Sequence, residues 1–176
     1  GLARLPGNIA PAHPADPYAD YTAADLYAFL QDAQLARAPG VAYAYSNVGT
    51  GLLGHVLARR ANASYEAVLR QRVLEPLGLH NTGFDMPPDA AATHHATGYA
   101  SGQAVPYWRF DVLAGAGALR STAPDMLRFL QMNLRPEGQP LARALRAAQT
   151  VRYRGGGGPT LALGWHVAPL PTGAPL

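Results

Sequence analysis

The sequence contains no cysteine and no lysine, and each absence excludes a class of chemistry. Without cysteine there can be no disulfide, no thiol nucleophile and no cysteine-ligated zinc. All 14 basic residues are arginines, so the chain has no P-loop lysine, no Schiff-base lysine and no lysine general base. The arginines are scattered, and only Arg59 and Arg60 are adjacent. This distribution predicts no nucleic-acid partner.

Long hydrophobic runs are also missing. No apolar stretch approaches the ~18 residues of a membrane span, so no transmembrane segment is predicted. The apolar fraction of 48% and the length of 176 residues are typical of one globular unit. The first four residues lack the apolar core of a signal peptide, and the start at Gly1 without methionine predicts that the chain begins inside a longer product.

The most informative stretch is residues 39–60, in which a Pro-Gly turn signal precedes an alternating run and then a helical pattern. Ser46 or Asn47 suits the N-cap, since a short polar side chain accepts a hydrogen bond from the first helical N–H groups. Tyr45 therefore lies where an extended segment becomes a helix, a rigid position suited to a catalytic group. The pattern predicts a buried apolar face made of Val48, Leu52, Leu53, Val56 and Leu57.

The remaining sequence predicts a mainly α-helical chain with a few short strands. We expect one unit, with an irregular arm at 1–20, a helical domain at 21–150, and a loop with the start of a sheet strand at 151–176. Capping-box patterns at Thr22 and Thr122 open two helices, and Ser64 and Ser121 are also expected to be caps. Further helices are predicted at 64–74 and 141–148, and strands at 93–99, near 105–107 and at 160–167.

A second interpretation of the central stretch is a dinucleotide-binding fingerprint, because residues 49–54 read GTGLLG. A nucleotide-binding unit needs a parallel strand soon after the helix, whereas residues 64–74 predict another helix. The other explanation is that the three glycines allow a helix to pack closely.

Metal and triad chemistry are both poorly supported. The adjacent His94 and His95 would point to opposite faces of an extended segment, and His55 has no acidic or histidine partner four residues later. His13, His80 and His166 are expected to be ordinary surface or half-buried residues. We therefore predict no metal site. Ser46 lacks the first glycine of the G-x-S-x-G nucleophile turn.

Five blocks in a fixed order carry a family resemblance. The chain resembles the class C serine β-lactamases and their penicillin-binding, D-amino-peptide hydrolase and esterase relatives, with the "YSN" block most prominent among them. The blocks are residues 1–6 (GLARLP), 39–49 (PGVAYAYSNVG), 74–84 (LEPLGLHNTGF), 116–126 (AGALRSTAPDM) and 163–165 (LGW). The implied fold is the helical region of the serine β-lactamase/transpeptidase-like fold.

The resemblance implies acyl transfer through a serine ester, which divides one difficult cleavage into two easier steps. It assigns Tyr45 as the catalytic proton-transfer residue and Asn47 as the residue that binds the substrate amide, with Ser46 structural next to the site. The implied substrates are small molecules, namely a β-lactam, a D-amino-acid peptide or a small ester. The resemblance implies no cofactor. It implies a periplasmic or secreted location.

The chain departs from the family pattern at two motifs. Without lysine it has no S-x-x-K nucleophile motif, and its last residues stop before any K-T-G equivalent. We therefore expect the central part of a hydrolase, inactive by itself, whose exposed apolar face near Tyr45 promotes self-association. The alternatives are a non-catalytic helical binding module and, less favoured, the dinucleotide-binding domain.

Overall fold

The computed structural model describes residues 1–84, 95–155 and 158–168. Residues 1–22 form turns and irregular chain, and the described residues then form five α-helices, with a π-helical turn at Arg70–Leu74 continuing the third. The helices are α1 (Ala23–Asp32), α2 (Asn47–Ala61), α3 (Tyr65–Leu69), α4 (Ala123–Leu134) and α5 (Ala142–Gln149), with a 3₁₀ turn at Ala114–Ala116. The prediction of a mainly helical chain is confirmed.

Two antiparallel sheets complete the described part of the fold. Strands β1 (Gly98–Ala100) and β2 (Gln103–Val105) form a hairpin, close to the predicted strands but with shifted ends. Ser101 and Gly102 join them, and both have positive φ, as a tight two-residue hairpin turn requires. Residues 93 and 94 of the first predicted strand lie outside the described residues.

The prediction of one continuous strand at 160–167 is wrong. This segment forms a hairpin of β4 (Thr160–Leu161) and β5 (His166–Val167), and β4 also pairs with β3 (Tyr153–Arg154). Gly164 has φ of 78°, a conformation that glycine adopts without steric cost. This glycine allows the chain to reverse where the apolar pattern alone predicts that it runs straight.

The capping box predicted at the start of α1 is confirmed, and the one predicted at the start of α4 is only half formed. Thr22 and Asp25 form the reciprocal capping box of α1. Thr122 caps α4, but the carboxylate of Asp125 accepts hydrogen bonds from Asn81 N and the Thr82 hydroxyl instead of from the cap. The predicted cap at Ser64 is confirmed.

The prediction of a cap at Ser121 is wrong. The Ser121 hydroxyl lies 2.7 Å from the Thr82 hydroxyl. Because Asp125 also binds Thr82, the family blocks at 74–84 and 116–126 are joined through a buried polar network. Gly83 and Arg120 exchange two backbone hydrogen bonds that reinforce this connection.

Helix α2 turns a different face to the core from the one predicted. Val48 is buried as expected, and Leu52 packs beside the core, but Leu53, Val56 and Leu57 are 58%, 50% and 43% exposed. Besides Val48, the buried positions of the helix are two glycines, at 51 and 54. The missing side chains allow the helix to lie directly against the 3₁₀ turn, so the glycine face becomes the packing face.

Two hydrophobic clusters form the core. One joins the end of the third helix to α4 and α5, and its buried members are Leu74, Leu77, Leu79, Met132 and Leu145. The other joins the amino-terminal arm to α1 and the 3₁₀ turn, and its buried members are Tyr18, Tyr21, Leu26 and Leu113. The second cluster supports the start of α2.

Candidate active site

Ser46 is the N-cap that starts helix α2. Its hydroxyl accepts a hydrogen bond from Gly49 N at 2.8 Å and donates one to the carbonyl oxygen of Ala3 at 2.6 Å. The cap satisfies one of the orphan N–H groups that every helix start leaves. Both hydrogen-bonding roles of the hydroxyl are used in holding the backbone, which fits a structural residue.

The amino-terminal arm holds the same helix start. The carbonyl oxygen of Arg4 accepts hydrogen bonds from Asn47 N at 2.9 Å and Val48 N at 3.4 Å. Together with the cap, this contact occupies the first three amide groups at the start of α2. The arm therefore fixes the position of the YSN block.

Tyr45 precedes the cap and is 57% exposed. No strand forms at 41–45, and all five of these residues are exposed. The expectation that rigid elements hold the phenol on both sides is therefore wrong on its amino-terminal side. The guanidinium carbon of Arg4 lies 5.5 Å from the centroid of the Tyr45 ring, within the range of a cation–π interaction.

Asn47 is half-buried and is held through its side chain. Its Nδ2 donates a hydrogen bond to the Tyr18 hydroxyl at 3.3 Å. The Tyr18 ring is only 6% exposed, stacks on Phe110 with centroids 4.8 Å apart, and meets Trp108 edge to face at 5.5 Å. Because Tyr18 cannot easily move, it fixes the direction of the Asn47 amide.

An ion pair holds this aromatic cluster together. Both oxygens of Asp16 accept hydrogen bonds from Arg109, one from the backbone N and one from Nε, each at 2.8 Å. Burial of Asp16 acts to raise the pKa of its carboxyl, but the Arg109 hydrogen bonds and charge outweigh it and leave the pKa below its usual value. The pair ties the arm to the loop that carries Trp108 and Phe110.

The glycine-rich stretch at 49–54 is a packing surface. A Cβ on Gly51 would lie 2.6 Å from Leu113, and one on Gly115 would lie 2.5 Å from the Thr50 carbonyl oxygen. Within residues 1–84, which the structure describes in full, α2 is followed by α3 and by no strand. The βαβ unit of a dinucleotide fingerprint is therefore not formed there.

Two of the histidines are paired with tyrosines on neighbouring segments. His55 Nε2 lies 2.7 Å from the Tyr27 hydroxyl, and His166 Nε2 lies 3.3 Å from the Tyr43 hydroxyl. Among the described residues, no three histidine or acidic side chains are grouped as metal ligands would be. His94 lies outside the described residues.

A cavity of about 600 Å³ opens elsewhere on α2. It is lined by His55, Tyr65, Phe84, Trp108 and Arg120, among others, and not by the YSN residues. Burial raises the pKa of the Tyr65 phenol. We take the YSN region as the candidate site, because the residues to which the sequence assigned catalytic and binding roles lie there and do not line this cavity.

The comparisons identify the family. The sequence model of the Beta-lactamase family matches residues 3–175, so the chain belongs to the Beta-lactamase family, as the five blocks predicted. A β-lactamase of Escherichia coli K12 is 34% identical over 153 residues, which are 85% of this chain and 40% of that protein. The D-alanyl-D-alanine-carboxypeptidase/endopeptidase AmpH of the same organism is 29% identical over 126 residues, which are 72% of this chain and 32% of that protein.

A solved structure supports the same fold. The crystal structure of a β-lactamase/D-alanine carboxypeptidase from Pseudomonas syringae matches with a TM-score of 0.76 and 29% identity, over 85% of this chain and 42% of that one. The chain spans about one third to two fifths of the length of these relatives. Among the described residues, no helix combines the length and the apolar character that a membrane crossing needs.

Sequence reasoning did not find two side chains that support this region. Tyr18 and Arg4 both lie in the arm that was predicted only to be irregular, and they reach the YSN block from 29 and 41 residues away. The chain has 9 tyrosines, and the sequence around Tyr18 does not distinguish it from the others. Only the tertiary packing identifies them.

Proposed function

We propose that this chain is part of a serine hydrolase that acts through an acyl-serine intermediate on a β-lactam, a D-amino-acid peptide or a small ester. The family supports the reaction class. The single observation that carries the site is the arrangement at the start of α2, where Tyr45 is exposed and Asn47 is held by Tyr18. Ser46 supports both as the helix cap.

In the proposed reaction, a serine oxygen attacks the acyl carbon of the substrate, and its proton passes to the leaving nitrogen or oxygen as the scissile bond breaks. Water then attacks the ester, and the serine regains a proton. We assign the proton transfer to the Tyr45 phenol, which is accessible from solvent. Asn47 holds the substrate amide, and this fixes the acyl carbon near the nucleophile.

We propose that the nucleophile lies in a part of the polypeptide beyond these 176 residues. The absence of lysine from the sequence supports this assignment, since S-x-x-K requires one, and so does the partial coverage of the relatives. A periplasmic or secreted location is proposed on the family alone, and fractionation of the source cells tests it.

The intact mass of the purified chain tests the assignment of the nucleophile. After incubation with a penicillin or a fluorophosphonate, we expect no adduct, because neither Ser46 nor Ser64 is placed as an activated nucleophile: both hydroxyls accept helix-capping hydrogen bonds. The same incubation of the full-length polypeptide should give one adduct. A stoichiometric adduct on the 176-residue chain would overturn the assignment, and Ser46 would be examined first.

We also propose that the isolated chain self-associates through the exposed stripe of α2 formed by Leu53, Val56 and Leu57. A second copy is the proposed occupant, because three large apolar side chains at i, i+3 and i+4 form one continuous strip that a like strip can cover. Sedimentation velocity should show dimers that Val56→Glu abolishes and that Leu134→Glu, on α4, leaves intact. A wild-type monomer at all concentrations would contradict the proposal.

A further inference from the structure

Arg4 is the positively charged side chain that contacts the proposed catalytic tyrosine. Its guanidinium carbon lies over the Tyr45 ring at 5.5 Å. Its backbone is fixed, since its carbonyl oxygen accepts the hydrogen bonds of Asn47 N and Val48 N. The residue is exposed, so its charge is accessible to a molecule that approaches the YSN block.

The charge of Arg4 has no carboxylate partner among the described residues. Three other arginines do have one: Arg70 pairs with Glu66, Arg109 with Asp16 and Arg146 with Glu137. A guanidinium has five N–H donors in a rigid fork that matches a carboxylate, and a cation–π contact with a ring requires no hydrogen bond from them. Arg4 therefore lies over Tyr45, and no carboxylate of the described residues neutralises its charge.

The start of α2 does not provide these donors itself. The first three amides are occupied, two by the Arg4 carbonyl and the third by the Ser46 hydroxyl. An anion that came close to Tyr45 would find its hydrogen-bond donors on the Arg4 side chain. The positive end of the helix dipole adds to the same field.

We infer that Arg4 determines substrate class by binding a carboxylate of the substrate beside Tyr45 and Asn47. The inference rests on the proposed function and makes it more specific. β-Lactams and peptides that end in a D-amino acid carry a carboxylate close to the scissile bond, whereas small neutral esters do not. Arg4 therefore favours the first two classes over the third.

A ligand titration of the 176-residue chain tests this inference. Nitrogen-15 NMR follows the amides of Asn47 and Val48 and the Nε–H group of Arg4 while N-acetyl-D-alanine or its methyl ester is added. We expect the free acid to bind about two- to fivefold more tightly than the ester, as a solvent-exposed charge pair allows. The preference should decrease as sodium chloride is added, because salt screens exposed charges.

Three variants separate charge recognition from a structural role. Arg4→Gln should reduce the acid-to-ester preference to about one, and Arg4→Lys should keep part of it. Arg143→Gln, on α5, is the matched loss of one positive charge elsewhere and should leave it unchanged. The inference is overturned if neither ligand moves the resonances, if both move them equally, or if Arg4→Gln keeps the wild-type preference.

The result of the titration does not depend on whether the full-length polypeptide forms an acyl-serine. An acid preference that disappears in Arg4→Gln, with no acyl-serine in the full-length polypeptide, would refute the hydrolase proposal and support the anion site. Acylation of the full-length polypeptide, with no preference of the 176-residue chain for the acid, would refute the anion site at Arg4 and support the hydrolase proposal.

Discussion

The orientation of the Asn47 side-chain amide depends on a contact that no local sequence pattern indicates. The YSN motif predicted that its amide holds the substrate, and the structure places this amide against the hydroxyl of a buried tyrosine, Tyr18. An amide that is already hydrogen-bonded on one side has lost much of its rotational freedom. The remaining polar atoms can then bind a ligand at a lower entropic cost.

Replacement of Tyr18 by phenylalanine tests this positioning role. The variant keeps the ring that stacks on Phe110 and removes only the hydroxyl, so we expect a loss of about 1 kcal/mol or less in the free energy of unfolding. Hydrogen exchange of the Asn47 side-chain amide should become faster. Urea unfolding and side-chain NMR measure these two quantities.

Tyr99→Phe is the control for Tyr18→Phe, because Tyr99 is 68% exposed on the β1–β2 hairpin. It should change neither quantity. Unchanged exchange at Asn47 in Tyr18→Phe would show that the hydrogen bond does not restrain the amide.

At the residue scale, the sequence predicted the role of a residue whose partners lie in the same contiguous motif. Ser46 or Asn47 was predicted as the cap and Ser46 is the cap, because capping depends on residues only three positions apart. Arg4 and Tyr18 were not predicted, because their contacts depend on how a 20-residue irregular arm folds back. The sequence of such an arm has no periodicity from which a direction could be read.

Helix α2 shows the same distinction at the scale of an element. Its existence and its cap follow from the local sequence, but its apolar residues suggested the wrong packing face. The glycines provide a flat surface, and the backbone of the 3₁₀ turn approaches it so closely that a Cβ on Gly54 would lie 3.1 Å from the Cα atom of Gly115. The periodicity of apolar residues identifies a helix face that carries large side chains. It cannot identify a face that packs closely because its residues are glycines.

Gly51→Ala tests the close packing of α2. A Cβ at this position would lie 2.6 Å from the Cδ2 atom and 3.1 Å from the Cα atom of the buried Leu113, so the Leu113 side chain or the turn must shift. We expect a loss of about 1–3 kcal/mol in the free energy of unfolding, the usual cost of overpacking, measured by urea denaturation.

Gly7→Ala is the matched control for Gly51→Ala, because a Cβ there meets no atom within 4 Å. It should be neutral or slightly stabilising, since alanine reduces the freedom of the unfolded chain. Equal stability of the Gly51 and Gly7 variants would contradict the account of α2.

At the scale of the whole molecule, the order of the five blocks predicted the family and the helical fold, and both are confirmed. Two of the blocks meet in the structure through Thr82 and Asp125, so a buried polar group of one block satisfies a buried polar group of the other. The hairpin at 160–167 was not predicted, because a single glycine decides between a straight strand and a reversal.

The rate at which a penicillin acylates the full-length polypeptide tests the central claim, the role of Tyr45, most directly. Intact mass spectrometry follows the adduct in wild type, in Tyr45→Phe and in Tyr43→Phe, a neighbouring tyrosine that serves as the control. If the Tyr45 phenol transfers the proton, its loss should slow acylation about 10²–10⁴-fold. Tyr43→Phe should stay within about twofold of wild type, since the Tyr43 hydroxyl is engaged with His166 at 3.3 Å. Acylation of Tyr45→Phe at the wild-type rate would contradict the assignment.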